Sequence, residues 1–166
     1  MGTPADDVSL YLRDHETAMR ERLAELVEQN SFTDNAEGGR KVLAMLERTF
    51  AMPGLAGKRI PSTRFSDHLV LSTQGKSGVP PIALVGHYDT VFPPGTFEGI
   101  RRDGELLRGP GVLDMKGGLV VVAYALRAVA ETVGLDAIAP LRVVVVADEE
   151  VGSPEGQGVI REAIRD

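Results

Sequence analysis

Residues 80–95 read PPIALVGHYDTVFPPG. Ile82, Ala83, Leu84, Val85 and Gly86 form a short apolar run that ends on His87, Tyr88 and Asp89 before Pro93, Pro94 and Gly95 break the chain. A run of this length between prolines predicts a strand in a sheet covered on both faces. In an extended segment, positions two apart point to one side. His87 and Asp89 are therefore expected side by side at the carboxyl end of that strand.

Working outward, LDMKGGLVVVAYALRAVAETVG (113–134) opens with paired glycines and runs apolar nearly all round. It predicts a buried helix over about 116–133 with Gly134 as its stop. LRVVVVA (141–147) predicts a second buried strand, DEEVGSPEG (148–156) a loop, and EGQGVIREAIRD (155–166) a further helix. Strand, helix, strand, helix implies an α/β layer with parallel pairing. IRRDGELLRGPG (100–111) carries an Asp-Gly hairpin signal. Upstream, RFSDHLVLSTQG (64–75) predicts a strand followed by the turn GKSG. Val8, Leu12, Met19, Leu23, Leu26 and Val27 recur at helical spacing over 5–29. NSFTDN (30–35) breaks that helix and offers capping residues for a second over 36–51, which MPGLAGK (52–58) stops.

Sites in such sheets form outside the carboxyl ends of the strands. GHYD, LDMKGG and DEE all fall at such places. Each has an ordinary structural account when taken singly: a strand-end histidine with a turn-forming Asp, a helix cap at Asp114, a solvated acidic loop at Glu149 and Glu150. Taken together they present only histidine and carboxylates on one rim. Asp89 can orient a metal-bound His87 through the second ring nitrogen. Adjacent carboxylates at a buried strand end repel each other, and a cation relieves that. The chain has no cysteine, so neither disulfides nor thiolate metal sites are open to it. The set suits a hydrolytic zinc site, with one metal or two.

Composition bounds the alternatives. The 166 residues suffice for one domain with a real core, and the net charge of −6 argues against nucleic-acid or anionic-membrane partners. MGTPADDVSL lacks the basic start and apolar stretch of a signal peptide, and GGLVVVAYAL is too short to span a bilayer. A cytoplasmic location is the expectation. A nucleotide-binding α/β domain is disfavoured, because GPGVLDMKGG matches neither dinucleotide nor phosphate-loop patterns.

GHYDTVF (86–92), GPGVLDMKGG (109–118) and VVADEEVGS (145–153), in that order and spacing, closely resemble the zinc-dependent aminoacylase and carboxypeptidase family. That family includes glutamate carboxypeptidase, acetylornithine deacetylase and succinyl-diaminopimelate desuccinylase. PPGTFEG and RRDGELLRGPG resemble its glutamate carboxypeptidase branch. The resemblance runs from about residue 5 onward. It implies a three-layer α/β/α catalytic domain with a mostly parallel sheet and helices on both faces. It also implies residue roles. His87, Asp114 and Glu150 would ligate zinc, with Asp114 bridging two ions. Asp89 would be the partner of His87, and Glu149 the general base that takes a proton from the attacking water. A cis peptide would join Asp114 to Met115. The metals would be two zinc ions, with cobalt or manganese as alternatives. The reaction would be hydrolysis of an amide bond in a small peptide or N-acyl amino acid, release of C-terminal glutamate being one form of it.

Members of that family are much longer. They supply a further acidic ligand, an inserted dimerisation domain and a C-terminal histidine ligand after the Glu pair. Residues 1–166 are thus expected to form the N-terminal part of the catalytic domain. Alone they would be scarcely active, and a homodimer is expected only of the full-length form. The alternative reading is a catalytically inert short module that binds a partner or a single metal. His15 and His68 are expected to be ordinary histidines, on the surface or internally satisfied.

Overall fold

The computed structural model of the protein describes residues 2–165. Three helices lead: α1 (Pro4–Asp14), α2 (Glu16–Glu28) and α3 (Ala36–Thr49). Strands β1 (Ala56–Ile60), β2 (His68–Ser72) and β3 (Ile82–His87) follow, then a small hairpin of β4 (Arg101–Asp103) and β5 (Leu106–Arg108). Helix α4 (Lys116–Thr132), strand β6 (Leu141–Val146) and helix α5 (Gly156–Ala163) complete the described chain.

The main sheet has the order β1-β2-β6-β3. The valine run of β6 takes an inner position and is almost wholly buried. Burying one such side chain is worth about 1.5–3 kcal/mol, enough to draw an unalternating apolar run to the middle of the sheet. Alternation then divides its two faces. Leu141, Val143 and Val145 join one core with Leu69 and Leu71 of β2, Leu119, Val120, Ala123 and Leu126 of α4, and Val42, Leu43 and Leu46 of α3. Helices α1 and α2 pack over α4. On the opposite face α5 lies against β6 and β2, with Val146 beneath Gly156. The expected α/β layering with helices on both faces is present.

Four expectations need correction. The sheet is mixed rather than mostly parallel: β3 pairs β6 in parallel, while β1–β2 and β2–β6 are antiparallel. Among the described residues only β3–α4–β6 is a crossover unit, and the short link between β1 and β2 enforces antiparallel pairing. Strand β1 is not expected from the sequence, where its first three residues fall in the helix stop MPGLAGK: AGKRI is largely exposed and lacks apolar alternation. Nor is β3 covered on both faces. Its partner among the described residues is β6 alone, and Ile82, Ala83 and Val85 are exposed.

The single helix expected over 5–29 is two. Thr3 caps α1 in a reciprocal box with Asp6, and α1 ends at His15. The His15 imidazole bonds the Tyr11 carbonyl at 2.8 Å and stacks on the Tyr11 ring at 3.9 Å, so the chain turns there. The hairpin forms where Asp-Gly placed it, with Gly104 at φ +62°, a conformation few side chains tolerate. Among the described residues no helix is long and apolar enough to cross a membrane.

Candidate metal centre

Strand β3 delivers His87 and Asp89 buried at the carboxyl end of the sheet. The His87 Nδ1 faces Asp89 Oδ1 at 3.2 Å, and its Nε2 faces Asp114 Oδ1 at 2.9 Å. The Glu149 carboxylate approaches the same Nε2 to 3.8 Å. Asp114 arrives on the loop ahead of α4. That loop is held close because Gly117 packs directly on the Val112 carbonyl, where a Cβ would meet oxygen at 2.3 Å. The Asp114–Met115 peptide is cis. Glu149 and Glu150 follow β6 on a 3-10 turn (Glu149–Val151).

Asp89 ties these pieces together. Its Oδ1 takes the Glu149 amide at 3.2 Å, and its Oδ2 takes the Glu150 amide at 3.1 Å and the Thr33 hydroxyl at 2.8 Å. Burial pushes Asp89 up, yet the hydrogen bonds from His87, Thr33 and the Glu150 amide hold it below its ordinary value. For His87, burial opposes the imidazolium. The carboxylates of Asp89 and Asp114 outweigh burial and raise the ring to about 9. Burial raises Glu150, and the other carboxylates of the cluster add to it.

His87, Asp114 and Glu150 each offer a ligand atom, and these atoms all lie within 4.8 Å of one another. The three side chains that the resemblance names as ligands thus lie together in space, with Asp89 and Glu149 beside them. The donor set, one imidazole and two carboxylates, fits a divalent cation such as zinc. The Asp114 and Glu149 side chains are 72% and 53% exposed, so the cluster opens to solvent on the side away from His87. His15 and His68 stand outside it. His15 is satisfied by the Tyr11 carbonyl. His68 is not at the surface: it is buried, accepting the Ala147 amide at 3.3 Å through Nδ1.

Residues 83–165 match the sequence profile of Peptidase family M20/M25/M40. The chain belongs to that family. Carboxypeptidase G2 of Pseudomonas sp. is 29% identical to this M20-type chain over 153 residues, spanning 90% of the chain and 36% of the relative. A probable carboxypeptidase of Aspergillus terreus is 32% identical over 102 residues, spanning 61% of the chain and 22% of the relative. The chain therefore covers about a third or less of the curated relatives it matches. Human carnosine dipeptidase 1 shares the fold with a TM-score of 0.78 at 16% identity, over 95% of this chain and 37% of that one. A tripeptidase of Staphylococcus aureus does so with a TM-score of 0.70 at 22% identity, over 89% and 40%.

The frame around the M20-type cluster comes partly from NSFTDN, for which the sequence predicts a helix break and capping residues; Asn35 does cap α3, accepting the Gly38 amide at 3.0 Å. Ser31 donates to the Tyr88 carbonyl at 2.6 Å and accepts the Thr90 amide at 3.0 Å; Asn30 donates to the Phe92 carbonyl at 3.0 Å. The role of Lys116 has no sequence expectation either. It is fully buried and donates to the Leu26 and Gln29 carbonyls at 2.8 and 2.9 Å, closing the end of α2. No local signal pairs residues so far apart. The one hint was an otherwise apolar helix opening on a lysine.

Proposed function

We propose that this chain carries the N-terminal part of the active site of a metal-dependent peptidase. It would hydrolyse an amide bond of a small peptide or N-acyl amino acid, C-terminal glutamate release being one form. The observation that carries this reading is the convergence of His87, Asp114 and Glu150 within 4.8 Å in a chain of this family. On this reading residues 1–166 are the N-terminal part of a larger catalytic domain. The share of the relatives that the chain spans and the exposed apolar residues of β3 support that. Homodimerisation would belong to the complete form.

His87, Asp114 and Glu150 would hold the cation, zinc in the first instance and cobalt or manganese as alternatives. Asp114 would be shared with a second ion, as the family resemblance implies. A bound divalent cation supplies Lewis acidity, which polarises the scissile carbonyl and acidifies water. Asp89 fixes the ring of His87 through Nδ1 and leaves Nε2 as the ligand atom. Glu149 acts as the base. It accepts a proton as water adds to the carbonyl carbon, then returns it to the departing nitrogen as the C–N bond breaks. The products are a carboxylate and an amine.

Zinc titration of the chain and four variants tests this. His87→Ala, Asp114→Asn and Glu150→Gln should each weaken binding by about tenfold or more, while Glu149→Gln leaves it within about twofold. Equal affinity in the three ligand variants and the unaltered chain would contradict the assignment.

A further inference from the structure

We propose that Asp148, which takes no part in the ligand set, is the positioning residue that sets Glu149 and Glu150 against the rest of the site. Its purpose rests on the functional reading above; its geometry does not.

Asp148 lies two residues beyond the valine strand β6, at the start of the 3-10 turn, and is fully buried. A carboxylate withdrawn from water is costly unless donors meet it. Its Oδ2 takes the amides of Glu155 at 2.8 Å and Gly156 at 3.0 Å, the first groups of α5. Its backbone carbonyl takes the Ser153 amide at 2.8 Å. Oδ1 has no hydrogen-bond partner among the described residues and lies against α5, where a Cβ on Gly156 would come within 2.5 Å of it. That space exists only because position 156 is glycine.

The segment 149–155 therefore starts and finishes on one side chain. Within this closed loop Gly152 and Ser153 take left-handed conformations, at φ +86° and +51°. The turn they complete points the Glu149 and Glu150 amides at Asp89. Asp89 holds the loop at the site and Asp148 closes it at its base. Without the base, the loop would follow α5 instead of the strand end. Glu149 and Glu150 would then lose their register with His87 and Asp114. The Glu155 carboxylate reinforces the closure by accepting the Thr63 hydroxyl and amide at 2.7 and 2.9 Å.

The test is amide hydrogen exchange by NMR on the chain without metal, followed by zinc titration of the same samples. Asp148→Ala should speed exchange at the Glu149 and Glu150 amides by about tenfold or more while β6 and α4 amides stay protected. Asp148→Asn, which keeps one accepting oxygen, should restore protection. Gly156→Ala, which pushes α5 away from the same carboxyl, should reproduce the Asp148→Ala pattern and decides the matter if that variant fails to fold. Unchanged protection at Glu149 and Glu150 in a folded variant overturns the proposal. So does a loss of protection spread over the whole chain in both disruptive variants, since Asp148 would then serve the fold at large. In the titration, Asp148→Ala or Gly156→Ala should weaken zinc binding about tenfold. Local release of the loop in a chain whose unaltered form binds no zinc would leave Asp148 as the loop's base and refute the metal site alone.

Discussion

The Thr33 hydroxyl donates to the buried Asp89 carboxylate at 2.8 Å, across 56 positions of sequence. Asp89 in turn contacts His87, Glu149 and Glu150. A residue of the loop between α2 and α3 thus stands behind every element of the candidate site except the Asp114 loop.

Thr33→Val keeps the shape and removes that donor. A hydrogen bond to a buried charged group contributes about 1.5–3 kcal/mol, and the Glu150 amide alone would remain on Oδ2. Urea denaturation should show a loss of that size. A loss below about 0.5 kcal/mol would mean that Asp89 finds another donor.

Lys116→Met retains the aliphatic stem and strips the ammonium from the Leu26 and Gln29 carbonyls. Leaving such buried acceptors unpaired costs about 1–3 kcal/mol. The expected outcome is a lower urea midpoint with an unchanged slope. A variant as stable as the parent would mean that removing the desolvation cost of the buried ammonium, the same cost that pulls Lys116 down to about 7, offsets the loss of both bonds.

Much of this was legible in sequence because it is local. The β3–α4–β6 unit follows from apolar runs and their glycine and proline stops, and the meeting of three polar clusters on one rim from their places at the ends of those elements; which side chains of the clusters would be ligands came from the family resemblance. What sequence hid is of another kind. Strand β1 has no alternation to read, since it lies at the sheet edge with both faces largely exposed. The break at His15 depends on a side chain bonding its own helix. Ser31, Lys116 and Asp148 act through hydrogen bonds to backbone groups. Such groups are present at every residue, so no residue type elsewhere in the chain marks the partner.

His87 governs the alkaline side. Its folded value of about 9 lies above the ordinary 6.5. The stability it contributes is thus complete below about pH 6.5 and is lost as pH rises towards 9. The difference in unfolding free energy between the chain and His87→Gln should shrink over that window. The ring should titrate by NMR near 9. A midpoint at or below 6.5 would remove the carboxylate clasp from the account. Because a cation must displace the Nε2 proton, metal affinity should also rise with pH up to about 9.

Glu155 governs the acid side. Hydrogen bonds from Thr63 and Arg64 lower it from 4.5 to about 2. Its contribution is present above pH 4.5 and is lost as pH falls through 2. Glu155→Ala should flatten the stability profile between these values. A parallel profile, displaced without change of slope, would show that the Thr63 latch does not form.

The central claim is that His87, Asp114 and Glu150 hold a common metal centre. The most direct measurement is an anomalous difference map at the zinc edge from crystals of the chain equilibrated with zinc. The account predicts a peak about 2.0–2.2 Å from His87 Nε2 and from carboxylate oxygens of Asp114 or Glu150. A crystal whose zinc sits elsewhere, or in which this cluster stays free of anomalous density at saturation, would contradict it.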